Sequence, residues 1–222
     1  MKKNIFFFIT LLLFLNAGHS FGKEKEDSSY INTYFPVKMK LTFKSSLGET
    51  VTKYSRFGKD ILVVNNEGSK FKYKQTLLVK NDGIYVTETY QYLKLFLFFK
   101  KEGTYTYSKP LLRLPNPLIP GTEWRSESDE YCDGDTNKVQ LTGKVVEKEI
   151  VKLKSGTYEA IKVETQIEGS SGVKNKITEW YADGIGLIKA NIKIGGGGLL
   201  GLLRNAFGYG DIDFELDDIK RD

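Results

Sequence analysis

The side chains able to do chemistry are few and poorly matched to one another. Among 222 residues there is one histidine, His19, and one cysteine, Cys132. His19 falls in a leader-like stretch, so a chain that loses its leader has no histidine for a Ser–His or Cys–His nucleophile, a general base or a zinc site. Cys132 has no disulfide partner and no cationic neighbour to lower its thiol pKa, so it reads as a small structural residue. The acidic stretch Asp129, Glu130, Asp133 and Asp135 partly follows a calcium loop, with Gly134 at the sixth place. Tyr131 and Gln140 stand where that loop needs liganding side chains, so a solvated acidic turn is expected and no metal. Two S-x-x-K matches, Ser69 to Lys72 and Ser171 to Lys174, lie in strand or hairpin patterns and not on the helix that would bring lysine to serine. Gly195 to Gly201 contains a G-x-G-x-x-G match, but too little chain follows it for a βαβ unit, and no dinucleotide cofactor is expected.

The elements around these residues begin with a leader. Lys2 and Lys3 precede an apolar run from Ile5 to Leu15, small residues follow at Ala17, Gly18, Ser20 and Gly22, and polarity switches at Lys23. This is the layout of a signal peptide over 1–22, and its apolar run is shorter than the roughly 20 residues needed to span a bilayer. The expected location is therefore outside the cytoplasm, periplasmic or extracellular. No cysteine lies near the cut, so a lipid-anchored amino terminus is not expected. Loss of Lys2 and Lys3 takes the net charge from +5 to +3, which leaves no concentrated basic patch for nucleic acid. With 40% apolar and 27% charged residues the remainder has material for a core.

After a lead-in over 23–36, period-two alternation predicts a single antiparallel β domain over 37–222. Met39, Leu41 and Phe43 share one face, and Lys38, Lys40 and Lys44 the other. Runs over 49–57, 61–64 and 70–79 follow, separated by turn signals at Gly58-Lys59-Asp60 and Asn65-Asn66-Glu67-Gly68. Asn81-Asp82-Gly83 marks a hairpin. Ile161 to Ile167 and Ile188 to Ile194 alternate in the same way. The last run sets Asp211, Asp213 and Glu215 against Ile212, Phe214 and Leu216, and its acidic row complements the lysine row of the first strand. The two terminal strands are therefore predicted to lie side by side. Residues 109–121 hold four of the five prolines and read as a stiff crossover dividing the domain. The fold class is mainly β: an antiparallel barrel, half-barrel or sandwich.

Two segments break the alternation. Leu93 to Phe99 is apolar on both faces, as expected of a strand covered on both sides or of one lining an apolar cavity. The glycine run 195–198 leads into Leu199, Leu200, Leu202, Leu203, Ala206 and Phe207, which predict a short C-terminal helix or flap. That flap would plug a barrel end, hinge over a cavity mouth, or touch a membrane surface with little help from Arg204.

Three segments carry a family resemblance: Pro117 to Trp124, Ser155 to Glu164 and Glu179 to Lys189. In order and spacing they resemble the exported bacterial family called domain of unknown function 3108 and its close relatives, over roughly residues 30 to 194. The resemblance implies an antiparallel barrel similar to the half-barrels of periplasmic lipoprotein carriers, and it brings no catalytic residues. The same segments have a physical reading as scaffold: glycines at turns, and Trp124, Trp180 and Tyr181 as large anchors with polar tips.

The expected activity is non-enzymatic binding of a lipid, acyl chain or other apolar or amphipathic molecule inside the barrel. The residues expected to line that site are Leu95, Phe96, Leu97 and Phe98 of the doubly apolar segment and Leu199, Leu202 and Leu203 of the flap. A filled barrel with a structural or interaction role at the cell envelope is the second reading. A hydrolase using two carboxylates is the third, and the sequence cannot pair them.

Overall fold

The computed structural model describes residues 33–94, 100–196 and 210–221, and it is antiparallel β almost throughout. Twelve strands follow in chain order: β1 (Met39–Ser45), β2 (Gly48–Phe57), β3 (Ile61–Gly68), β4 (Phe71–Lys80), β5 (Gly83–Lys94) and β6 (Lys100–Pro115), then β7 (Glu123–Cys132), β8 (Asp135–Leu153), β9 (Gly156–Gly169), β10 (Val173–Ala182), β11 (Gly186–Gly196) and β12 (Asp211–Arg221). Each pairs with its sequence neighbours, and β1 pairs with β12 to close a barrel. Closure leaves no free sheet edge among the described strands, although the β6–β7 ladder is short.

The terminal pairing expected from the charge rows is present, with Leu41 opposite Ile219 and Lys44 opposite Glu215. The acidic row of β12 serves mainly its other neighbour. Asp211, Asp213 and Glu215 face Lys193, Asn191 and Lys189 of β11, and Lys189 reaches Glu215 at 2.8 Å. On β1, Lys44 instead pairs with Asp217 at 3.2 Å.

Alternation decides what lies inside. Leu41 and Phe43, Leu62 and Val64, Val163, Ile188, Ile212, Phe214 and Leu216 are buried in one core. The outer rows are charged and form ion pairs such as Lys144–Glu123 at 2.8 Å and Lys176–Glu164 at 2.9 Å. Exposed pairs of this kind add little stability, but an outward charged face is the reverse of the apolar band that a lipid-facing barrel presents.

Two expected breaks lie inside strands. Asn65 to Gly68 continue β3, where Asn66 turns inward and donates Nδ2 to the Thr52 hydroxyl at 2.9 Å. Ladder pairing with β2 and β4 outweighs the turn preference of those residues. The crossover expected over 109–121 is also shorter, because 109–115 form the end of β6 and only the remainder connects to β7. Pro110 is tolerated there because the ladder has already lapsed. β6 carries a wide bulge, with Val86 opposite Leu111 but Glu88 opposite Thr106, and it pairs with β7 only at Thr106 and Tyr107. Serine hydroxyls bridge the gap: Ser128 Oγ accepts from the Lys109 N–H at 3.0 Å, Ser108 Oγ from Asp129 N–H at 3.1 Å, and Ser126 Oγ from Leu112 N–H at 3.1 Å.

Trp124 secures the same seam from the inner face, where it packs against the core. Its indole N–H donates to the Leu112 carbonyl at 3.0 Å while its ring lies flat over Gly143, where an added Cβ would sit 2.1 Å from the ring. We expect Gly143→Ala to force the indole off β8 and cost about 1–3 kcal/mol, read as a lowered melting temperature. An unchanged melting temperature would show that the indole does not hold the seam.

Candidate functional site

Strand direction gives the barrel two unlike ends. At one end lie the β2–β3, β4–β5, β6–β7, β8–β9 and β10–β11 connections together with the lead-in before β1. This end is closed. Phe35 from the lead-in is 1% exposed and packs edge-on against Tyr54, with ring centres 5.6 Å apart. The lead-in crosses so near to Gly186 that a Cβ there would stand 2.5 Å from the Tyr34 carbonyl. Leu118 is buried from the β6–β7 connection, and the β8–β9 hairpin reaches over to β12, where Ser155 Oγ donates to the Leu216 carbonyl at 2.8 Å.

Above this floor the barrel is not filled. A cavity of about 410 Å³ runs from Phe35 and Tyr181 toward the opposite end, where the Cys132-to-Asp135 hairpin forms part of the rim. Its two walls differ in kind. Strands β4 to β7 contribute Tyr73, Gln75, Thr89, Tyr105, Tyr107 and Glu130. Strands β9 to β12 and β1 contribute mainly Ile167, Ile177, Ile192, Ile212, Phe214 and Phe43, with Asn175 and Thr165 set among them.

Among the described residues, one charged contact crosses this interior. Arg113 of β6 donates through Nη2 to Glu179 Oε1 of β10 at 2.7 Å, and the side chains are 17% and 9% exposed. Burial works against the Arg113 charge, but Glu179, with Tyr181, Tyr73 and Tyr54 around it, more than offsets this and holds the guanidinium above its ordinary value. Burial pushes the Tyr54, Tyr73, Tyr107 and Tyr181 hydroxyls up, so the polar wall is one of neutral phenols. Nearer the rim, burial raises the Glu130 carboxyl while a hydrogen bond from Tyr107 partly opposes the shift. Burial, then the nearby Asp133, raises the Cys132 thiol, which is the wrong direction for a nucleophile. Several polar atoms lack partners among the described residues, including Gln75 Oε1 and Asn175 Oδ1, on side chains that are buried.

The residues expected to line the site, Leu95 to Phe98 and Leu199, Leu202 and Leu203, lie outside the described residues, as do the leader and the C-terminal flap. The strands flanking those two segments, β5 with β6 and β11 with β12, meet at the rim end of the cavity. Sequence reasoning missed Arg113, Glu179 and the polar wall. A signal was present: Glu179 alternates with Asn175, Ile177 and Tyr181, and a lone carboxylate on a buried face requires an internal partner. The acidic stretch near Cys132 divides, with Glu130, Asp133 and Asp135 along the cavity and Asp129 on β7 outside its lining.

Arg113→Met alone strands a buried carboxylate, with an expected cost of about 3–5 kcal/mol in chemical denaturation, and the R113M/E179L double variant recovers most of it. A double variant no more stable than the single one would deny the coupling. Glu130 gives a pH signature. The folded state holds its proton more tightly than the unfolded chain, so stability falls as pH rises through the unfolded and then the raised folded pKa. Glu130→Gln should therefore melt higher than the parent at neutral pH, with the gap closing near about pH 4. A gap of the same size at both pH values would contradict the burial of this carboxyl.

Among solved structures, a protein with a YmcC-like fold from Bacteroides fragilis is 15% identical over 85% of this chain and 99% of its own, with a TM-score of 0.43. The hypothetical lipoprotein YmcC from Escherichia coli is 9% identical over 83% of this chain and 87% of its own, with a TM-score of 0.41. No curated protein matches the chain. Residues 99–192 match the family model described as DUF3108-like. That match contains all three segments singled out in the sequence, so the resemblance stands over the span from β6 into β11.

Proposed function

We propose that this chain is an exported, non-enzymatic binding protein that holds an apolar or amphipathic molecule inside its barrel. The observation that carries the reading is the hollow of about 410 Å³, which lies within the usual range of ligand pockets, roughly 300 to 1,000 Å³. A floor closed by Phe35 and Tyr181 and an apolar wall of Ile177, Ile192 and Phe214 suit a buried hydrocarbon body. The facing row of tyrosine, glutamine and threonine suits a polar part of the same molecule. Export follows from the leader over 1–22. A binding role is favoured over catalysis because His19 belongs to that leader and the Cys132 thiol is held up.

Native mass spectrometry of the protein purified from its own host tests the reading. A small-molecule adduct is expected on the parent protein. It should be absent from Ala190→Trp and from Thr165→Phe, each placing a ring where the cavity now lies, in whichever of the two keeps the parental melting temperature. A clean apo mass across independent preparations, or an adduct unaffected by filling the cavity, would contradict interior binding.

A further inference from the structure

The protein as a whole is basic, with a net charge of +5, yet the wall of its cavity is acidic. Among the described residues the lining holds Glu102, Glu130, Asp133, Asp135 and Glu179 against a single basic group, Arg113, and no lysine. Arg113 is committed to Glu179 at 2.7 Å, so these two cancel. Of the other four carboxylates, Glu102 accepts from the Tyr90 hydroxyl at 3.0 Å at an exposed position, while Glu130, Asp133 and Asp135 lie toward the rim with no ion pair to a described basic side chain. Carboxylates of one sign around a concave, low-dielectric space focus a potential that draws the opposite charge inward.

A second, independent feature points the same way. Gln75 and Asn175 are 6% and 8% exposed, face the cavity from opposite walls, and carry amide oxygens with no hydrogen-bond partner. A buried acceptor left unmet costs about 1–3 kcal/mol, so these positions suit a ligand that brings hydrogen-bond donors, as an ammonium head does. Gln75 stands in register with Thr89 and, through it, with Tyr105, and Tyr107 stands opposite Glu130. The donors would therefore sit beside aromatic rings, whose faces attract cations.

Resting on the interior-binding reading above, we infer that the ligand is a cationic amphiphile: an apolar body bearing an ammonium or similar N–H-rich positive head. The body lies along the Ile177, Ile192 and Phe214 wall, and the head lies along the β4–β7 wall below the acidic rim. Anionic amphiphiles such as fatty acids meet the carboxylates of Glu130, Asp133 and Asp135 there and no free cation among the described residues.

Isothermal titration with three probes of equal chain length, each below its micelle concentration, tests this: decylammonium, decanoate and decanol. Decylammonium should bind at least about tenfold more tightly than decanoate at pH 7 in low salt. The margin should shrink severalfold in 300 mM salt and in the E130Q/D133N/D135N variant, whose exposed or rim positions leave the packed floor intact. Ala190→Trp should lose the signal. Decanoate binding as tightly as decylammonium would overturn the cationic assignment while leaving interior binding in place. Failure of all three probes would remove both. Undiminished decylammonium binding to Ala190→Trp would show surface adsorption and also overturn the assignment.

Discussion

Closure of β1 on β12 is the constraint from which the rest follows. A ring of twelve antiparallel strands has no edge to protect, but its circumference encloses more space than one inward side chain per two residues fills. The chain meets that problem unevenly. At one end the lead-in, the cis-Pro117 connection and the long β8–β9 hairpin fold over the opening and complete a packed core. Toward the other end no comparable cover is present among the described residues, and the hollow remains.

The Arg113–Glu179 pair marks the boundary between these regimes. It ties β6 to β10 across the interior rather than along the sheet, where it meets the tyrosines of the polar wall. A pair this buried is weak evidence for stability by itself, since packed hydrocarbon in its place is often equally good. What it does supply is a neutral, hydrogen-bonded base to the cavity, so the carboxylates above it stand uncompensated. The β6–β7 seam is the opposite case. There a bulge and Pro110 remove ladder bonds, and three serine hydroxyls with the Trp124 indole take over their work.

Much of the barrel could be read from alternation, because a period-two pattern commits every second residue to one face once that face is buried. The terminal pairing was legible from complementary charge rows, although the acidic row of β12 engages mainly β11. Asn65 to Gly68 and Pro110 were misread because turn chemistry is a local preference, and ladder partners on both sides, or a lapse in the ladder, override it. The apolar wall was legible strand by strand. The polar wall was not, since Tyr73, Gln75, Thr89 and Tyr107 gain meaning only when three strands set them side by side. Leu95 to Phe98, Leu199, Leu202 and Leu203 stand out by excess hydrophobicity alone, and they fall outside the described residues.

The central claim is that the barrel's interior is left open for something other than the chain itself. The most direct measurement is a crystal structure of protein purified from its own host without delipidation, examined for electron density inside the barrel. The account predicts continuous non-protein density between the Tyr107 wall and Phe214. The same volume packed with the chain's own side chains would contradict it.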